Sequence, residues 1–220
     1  DTVGDSSPIN RSVGFGPVDT INWLLPLTRL IVGRQNAETS IRSSTFDEPL
    51  TPTNFTLKDC STQGSAPLTA VKIDTRGVFV QQSNRRVFEL SFEPSQQDYS
   101  ARDLTRLNPD IGADGFVDMA VQRQPDTYMH LPLDSGMCAS LLHDPQDEVT
   151  AWWRINSDGA TGLIEGVAVL PGSAEDRVYF IVHRIINGSA VRYIEKMAKR
   201  TQTTGLQGAN EGEDLCDPCV

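Results

Sequence analysis

Three histidines and a group of acidic residues in turns are the side chains of this sequence best suited to acid–base chemistry. His130, His143 and His183 each fall in or beside a predicted strand, where an isolated histidine is usually structural. Two facing carboxylates would suffice to hydrolyse a glycosidic bond, but aspartate is also common in turns because it caps backbone N–H groups. The acidic turn residues are Asp126, Asp134, Asp144, Asp147, Glu148 and Asp158. Since no Gly-x-Ser-x-Gly nucleophile motif occurs, we predict no catalytic residue and no enzyme activity.

The adjacent Trp152 and Trp153 could form a platform for a sugar ring. Neighbouring residues of a strand point to opposite faces of its sheet. We therefore predict that one indole packs between sheets while the other faces a neighbour or solvent, and a carbohydrate contact stays open for the second. Residues 156–161 (NSDGAT) are only weakly similar to the aspartate box of sialidase propellers, because the Ser-x-Asp-x-Gly order and the closing Trp are absent.

The four cysteines do not form a complete metal-binding motif. Cys60 and Cys138 fall in or near predicted strands, where a free thiol behaves as a small apolar side chain. Cys216 and Cys219 form a Cys-Asp-Pro-Cys segment, but a structural zinc ion takes about four ligands and this segment supplies only a pair. We predict no metal and no other cofactor, and either a solvated thiol pair or an intermolecular disulfide at Cys216 and Cys219.

Charge and composition restrict the function classes. The net charge of −10 opposes non-specific DNA binding, which depends on Lys and Arg neutralising phosphates, but it suits DNA that passes without being held. No apolar run reaches the roughly 18 residues of a membrane helix, and no signal-peptide pattern is seen, so we predict no membrane partner. We interpret the scattered arginines as solvated charges at strand edges rather than as a phosphate-binding patch. These are Arg85, Arg86, Arg102, Arg106, Arg123 and Arg154.

One pattern of short β-type segments separated by turn signals recurs along the chain. Its copies begin near Val18, Leu68, Phe116 and Leu163, a spacing of about 50 residues that is typical of propeller blades. Asn187-Gly188 is the strongest hairpin signal. We predict an all-β fold, a partial or complete β-propeller built from about four antiparallel meander blades. The predicted strands are 18–25, 28–32, 37–43 and 54–58; 68–73, 77–82, 86–92 and 99–107; 116–122, 126–133, 136–143 and 149–155; and 163–170, 177–186 and 190–197.

The repeat also indicates how the chain is organised. We assign residues 1–15 to an N-terminal arm, 16–197 to the propeller blades, and 198–220 to a flexible tail or linker that contains Thr, Gly, Gln and acidic residues. The copy that begins at Leu163 lacks a recognisable fourth strand. Because propellers rarely have fewer than about four blades, we expect this chain to be a piece of a longer polypeptide that supplies the missing part.

A series of short segments occurs along the chain in a characteristic order. The segments are 29–33 (RLIVG), 41–44 (IRSS), 49–52 (PLTP), 61–65 (STQGS), 78–87 (VFVQQSNRRV), 99–105 (YSARDLT), 117–122 (VDMAVQ), 149–154 (VTAWWR), 184–188 (RIING) and 191–195 (VRYIE). Together they resemble the central propeller region of the tail nozzle, or tail tubular, proteins of short-tailed bacteriophages, over about residues 18–195. Asn84 stands where the family commonly has glycine, and Trp153 where it often has histidine.

The resemblance implies a structural protein of the virion tail, without catalytic residues. It implies a cyclic homo-oligomer, a hexamer by family analogy, that extends the portal and adaptor, contacts other tail proteins and encloses the channel through which the genome leaves. DNA would pass this channel without specific binding. The residues themselves leave a second hypothesis open: a carbohydrate-active propeller, either a glycoside hydrolase or a glycan-binding module, that uses turn carboxylates and exposed aromatic side chains.

Overall fold

The computed structural model describes residues 4, 6–10, 12–13, 19–44, 48–157 and 162–198. Within these residues the regular structure is β-sheet apart from a short 3-10 helix at Pro109–Gly112, so the predicted all-β class is confirmed. The strands form four antiparallel sheets, and in each sheet they pair in chain order as a meander. Val18, Asp158, Cys216 and Cys219 lie outside the described residues, as does the predicted tail beyond Ala198.

The chain divides into two compact units, Asp1–Arg106 and Leu107–Val220, and each unit contains two of the sheets. In the first unit, β4 of one sheet contacts β8 of the other. One sheet comprises β1 (Ile21–Pro26), β2 (Leu30–Arg34), β3 (Glu38–Arg42) and β4 (Thr56–Ser61). The other comprises β5 (Val71–Ile73), β6 (Arg76–Val80), β7 (Val87–Glu93) and β8 (Asp98–Asp103).

An apolar core joins the two sheets of the first unit. Alternation along β1 turns Trp23 and Leu25 to the same face, where they pack with Phe79 and Phe88 of the second sheet. The ring centroids of Trp23 and Phe79 are 5.5 Å apart. Gly33 pairs with Trp23 across β1 and β2, and a Cβ at this position would overlap the indole ring. The close approach of strand and indole therefore requires glycine here.

The second unit is built in the same way, and its β13 contacts both β9 and β10. The core between its sheets contains Cys138 from β11 together with Ile164, Val178, Phe180 and Val182 from the facing sheet. One sheet comprises β9 (Ala120–Gln122), β10 (Tyr128–Pro132), β11 (Cys138–Asp144) and β12 (Val149–Ile155). The other comprises β13 (Gly162–Leu170), β14 (Arg177–Ile186) and β15 (Ser189–Lys196).

Each strand predicted from the sequence has a counterpart in the structure. The turn residues also behave as predicted: Asn84 has a φ of 59°, and Asn187 and Gly188 have φ values of 51° and 80°. Among the described residues, the last sheet has three strands, as the sequence indicated.

Several predicted strand boundaries differ, among them that of β5, which begins at Val71 rather than at Leu68. Side-chain contacts explain two of the differences. β8 ends at Asp103 rather than at Leu107, because the Asp103 carboxylate accepts hydrogen bonds from the backbone N–H and the hydroxyl of Thr105 and turns the chain. β9 begins at Ala120 rather than at Phe116, because Asp118 caps the backbone N–H of Met119 at 2.8 Å and interrupts the ladder. Phe116 keeps an isolated bridge to Leu133.

Candidate functional site

A pocket of about 510 Å³ lies in the second unit, beside one of the tryptophans and one of the histidines that the sequence singles out. Its volume falls in the range of sites that hold a small molecule. The lining includes Tyr128 and His130 of β10, Trp153 of β12, Glu175 in the loop before β14, and Met197 after β15. One sheet and the segments that flank the other sheet therefore form the pocket.

The two-residue period of β-strands brings the lining side chains together. Tyr128 and His130 lie on one face of β10, and Trp153 lies on the same face of the sheet in β12. Ser140 of β11 pairs with both His130 and Trp153, so these three residues form one row across the sheet. Leu142 of β11 also lines the pocket and extends its apolar wall.

Trp153 and Tyr128 form an aromatic corner in the pocket. Their ring centroids are 5.6 Å apart and their planes are inclined by 86°, the edge-to-face arrangement that ring quadrupoles favour. Trp153 is 38% exposed, and the Tyr128 hydroxyl donates to the Asp126 carboxylate at 3.1 Å. Trp152 lies on the opposite face, stacked on Phe116 with 6.4 Å between ring centroids. The two indoles thus point to opposite faces, as strand alternation predicted.

His130 is buried in the wall of the pocket and is held as one tautomer. Its Nδ1 lies 2.9 Å from the Ser140 hydroxyl, and its Nε2 lies 3.2 Å from the side-chain oxygen of Gln122. The Gln122 amide nitrogen donates to the Gln124 carbonyl at 2.9 Å, so the amide oxygen faces His130 and accepts from it. Nε2 therefore carries the proton. Burial lowers the pKa of His130 from 6.5 to about 4, which leaves the ring neutral at pH 7.

The other two histidines have different surroundings. His143 is buried at the end of β11, where its backbone N–H donates to the Thr127 carbonyl at 3.3 Å. His183 lies on β14 with its Nδ1 3.8 Å from a carboxylate oxygen of Glu165. Arg192 donates to both oxygens of Glu165, at 2.7 and 3.2 Å, and these hydrogen bonds lower the pKa of that carboxyl. The structure therefore places the three histidines in three separate environments.

The acidic residues predicted in turns make the contacts of turn residues. The Asp144 carboxylate accepts hydrogen bonds from the backbone N–H groups of Gln146 and Asp147, at 2.9 and 3.2 Å. Glu148 has a positive φ of 56°, and Asp126 accepts from the Tyr128 hydroxyl. For Asp144, Glu148 and Asp126 these contacts and this backbone conformation are typical of turn residues.

Two other aspartates, which the sequence did not single out, connect the sheets of the second unit. Asp118 accepts a hydrogen bond from the backbone N–H of Val167 in β13 at 3.1 Å. Asp176 accepts from the backbone N–H groups of Arg123 and Gln124 at 2.8 and 3.1 Å. Partial desolvation raises the pKa of Asp176, but the backbone hydrogen bonds together lower it further, so the net shift is downward. Asp176 thereby fixes the segment that carries Glu175 into the pocket.

The first unit buries an ionic network that the sequence also did not reveal. Arg34 is 2% exposed and pairs with the carboxylates of Asp19 and Asp59. Its Nε donates to the Thr39 hydroxyl at 2.9 Å, and that hydroxyl donates in turn to Asp59 at 2.6 Å. A buried guanidinium needs such partners, because an unpaired buried charge costs several kcal/mol.

A buried carboxyl and a buried thiol lie close together in the same unit. Glu38 accepts a hydrogen bond from the Ser65 hydroxyl at 2.8 Å, and burial raises the pKa of Glu38 more than its hydrogen bonds lower it. The Cys60 thiol donates to the Glu38 carbonyl at 3.3 Å, and burial raises the pKa of Cys60 to about 12. Burial likewise raises the pKa of Cys138 to about 12. Both thiols are therefore protonated at neutral pH and behave as small apolar groups.

Two of the arginines that the sequence placed at strand edges have partners within the protein. Arg86 lies 2.9 Å from the Asp103 carboxylate. Arg154 donates to the backbone carbonyl of Asp110 at 2.5 Å, which connects β12 to the 3-10 helix. These contacts give both side chains a structural role.

The site so defined is a pocket with an aromatic corner, a neutral histidine and an acidic residue. Among the described residues, no three His, Cys, Asp or Glu side chains come together as a metal-binding group, and no helix in that part of the chain has the length and apolarity to cross a membrane. A scan against protein-family models and a search of curated proteins found no match to this chain.

Proposed function

We propose that this chain belongs to the β-propeller region of a tail nozzle protein from a short-tailed bacteriophage. The observation that carries the proposal is the succession of four antiparallel meander sheets in chain order, in step with a sequence repeat of about 50 residues. A single small sheet cannot bury both of its faces, and stacking such sheets as blades covers them. The ordered segments that resemble nozzle proteins connect this architecture to one family.

Assembly into a ring is supported by an exposed apolar face of the second unit. Ile181 and Ile194 pair across β14 and β15 and are 46% and 56% exposed. Ile185 lies four residues further along the same face, beyond His183, and is also exposed. Groups of exposed apolar side chains commonly mark a protein interface. The native state in this proposal is a cyclic homo-oligomer, a hexamer by family analogy, in which this face meets a neighbouring subunit or tail protein.

The role in the tail is structural. The net charge of −10 suits a channel that DNA passes without being held, and the portal, the adaptor and other tail proteins are the expected neighbours. The test is to purify phage particles produced by the host that carries this gene, identify their proteins by mass spectrometry, and label them with an antibody against the chain. Peptides of the chain in intact particles and label at the tail are the expected results. Particles that lack the chain would contradict the proposal.

A carbohydrate-active propeller is the second candidate, and the half-exposed Trp153 in a pocket is the observation that favours it. An indole face of this kind can stack on a sugar ring. Glycan-array binding and a sugar-release assay separate the candidates. A structural tail protein is expected to give neither signal. Sugar release that is lost in the Asp126→Asn, Asp134→Asn or Asp144→Asn variant would favour the second candidate.

A further inference from the structure

The pocket of the second unit has few polar groups left to offer a ligand. His130 and Gln122 are both buried and use their facing polar atoms on each other, while His130 also contacts Ser140 and Gln122 also donates to Gln124. Much of the remaining lining is apolar and includes Leu142, Ala151, Ile155 and Met197. A sugar, whose hydroxyl groups each need a hydrogen-bond partner, would leave many of them unsatisfied there. The pocket therefore suits a ligand with an apolar body.

Two features of the lining favour a positive charge on that ligand. The aromatic corner of Trp153 and Tyr128 presents ring surfaces at right angles, and ring faces attract cations, with Trp the strongest. Glu175 is an acidic residue of the lining. Among the described residues that line the pocket there is no Lys or Arg, and His130 is neutral, so no fixed positive charge opposes a cation.

We propose that this pocket binds a small organic cation of the quaternary ammonium type, with its charged group held by the aromatic corner and Glu175. Three observations meet in this assignment: the edge-to-face pair of Trp153 and Tyr128 with centroids 5.6 Å apart, the acidic residue in the lining, and the pocket volume of about 510 Å³. A trimethylammonium group is weakly hydrated, so little solvation is lost when apolar and aromatic side chains enclose it. The net charge of −10 further favours cations near the surface.

The experiment compares two ligands of nearly the same shape that differ in charge. Choline and its neutral carbon isostere 3,3-dimethyl-1-butanol are titrated into the full chain, and binding is followed by NMR chemical shifts and tryptophan fluorescence. We expect choline to bind at least about tenfold more tightly than the neutral isostere, because cation–π and carboxylate contacts act on the charge alone. Equal affinity for the two ligands, or no binding of either at millimolar concentration, would overturn the proposal.

Variants of the lining locate the binding site. Glu175→Gln and Trp153→Leu are each expected to weaken choline binding by about tenfold, since each removes one attraction for the cation. Glu93→Gln, which changes a half-buried carboxyl in the first unit, is the matched control and should leave choline affinity unchanged. Circular dichroism and thermal unfolding confirm that each variant is folded. Choline affinity that survives in both folded lining variants would place binding elsewhere and contradict the assignment.

Discussion

His130 donates from Nε2 to the side-chain oxygen of Gln122 across 3.2 Å, on the buried face of the sheet formed by β9–β12. The ring is also met edge-on by Phe180 of the facing sheet, with 6.1 Å between ring centroids. Protonation would place a second N–H at Nδ1 and would oblige the Ser140 hydroxyl to change from donor to acceptor. Burial disfavours the charged form of the ring, so acid is expected to weaken the packing of the two sheets.

The first prediction concerns the pH dependence of stability. Because the pKa of His130 falls from 6.5 to about 4 on folding, the unfolded chain binds more protons than the folded chain between these values. The stability that the neutral, buried His130 gives the folded state is therefore complete above pH 6.5 and is lost as the pH falls towards 4. The expected slope is up to about 1.4 kcal/mol per pH unit. Urea unfolding should show a shallower pH dependence in His130→Gln than in the natural chain.

An unchanged slope in a folded His130→Gln variant would show that the acid sensitivity arises elsewhere.

The second prediction concerns Glu38 and has the opposite sign. Burial raises the pKa of this carboxyl, so its contribution to stability is present at pH values below its ordinary range and is lost as the pH rises through the folded pKa. Glu38→Gln imitates the protonated carboxyl and keeps an acceptor for the Ser65 hydroxyl. We expect this variant to gain stability relative to the natural chain as the pH rises from 4 to 8. A constant difference across that range would contradict the role of burial.

The third prediction compares two arginines with different surroundings. Arg34→Leu leaves the carboxylates of Asp19 and Asp59 without their buried partner, and the expected loss of unfolding free energy is about 3–5 kcal/mol. Arg86→Leu removes an ion pair with Asp103 that is partly exposed, and the expected loss is about 0–1 kcal/mol. Chemical denaturation measures both. Equal losses of unfolding free energy would show that the buried Arg34 network stabilises the protein no more than the partly exposed ion pair of Arg86.

Features of the fold that depend on neighbouring residues could be predicted from the sequence. Features that depend on residues far apart in the chain could not. Local signals sufficed for the strands and turns: alternating apolar residues marked β14, and Asn187-Gly188 marked the hairpin that follows it. The boundaries at Asp103 and Asp118 were missed because side-chain capping overrides strand propensity there.

The candidate site was harder to predict, because its residues come from separate strands and loops. Trp153 and His130 were noticed in the sequence, but neither suggested that Ser140 lies between them in one row. Glu175 and Met197 enter the pocket through the packing of one sheet on another, which a single sequence does not encode locally. The Arg34 network was missed for the same reason, because its partners lie 15 and 25 residues away in the chain.

The fourth prediction concerns the exposed apolar face of β14 and β15. Ile194→Lys places a charge among Ile181 and Ile185, and burial of that charge in an interface would be costly. We expect this variant to lower the oligomer fraction at least about tenfold by native mass spectrometry, a shift of about 1.4 kcal/mol. Leu107→Lys, at a position that is 98% exposed outside any strand, is the matched control and should assemble normally. Assembly that is unaffected by Ile194→Lys would remove this face from the interface.

The proposed role in the tail nozzle can be examined by electron microscopy of phage particles purified from the host that carries this gene. We expect a tail ring of cyclic symmetry, in which the meander sheets of each subunit are arranged as propeller blades around a channel wide enough for DNA. A closed monomeric propeller that has no symmetric assembly in the particle, or a position outside the tail, would contradict the assignment to the tail nozzle.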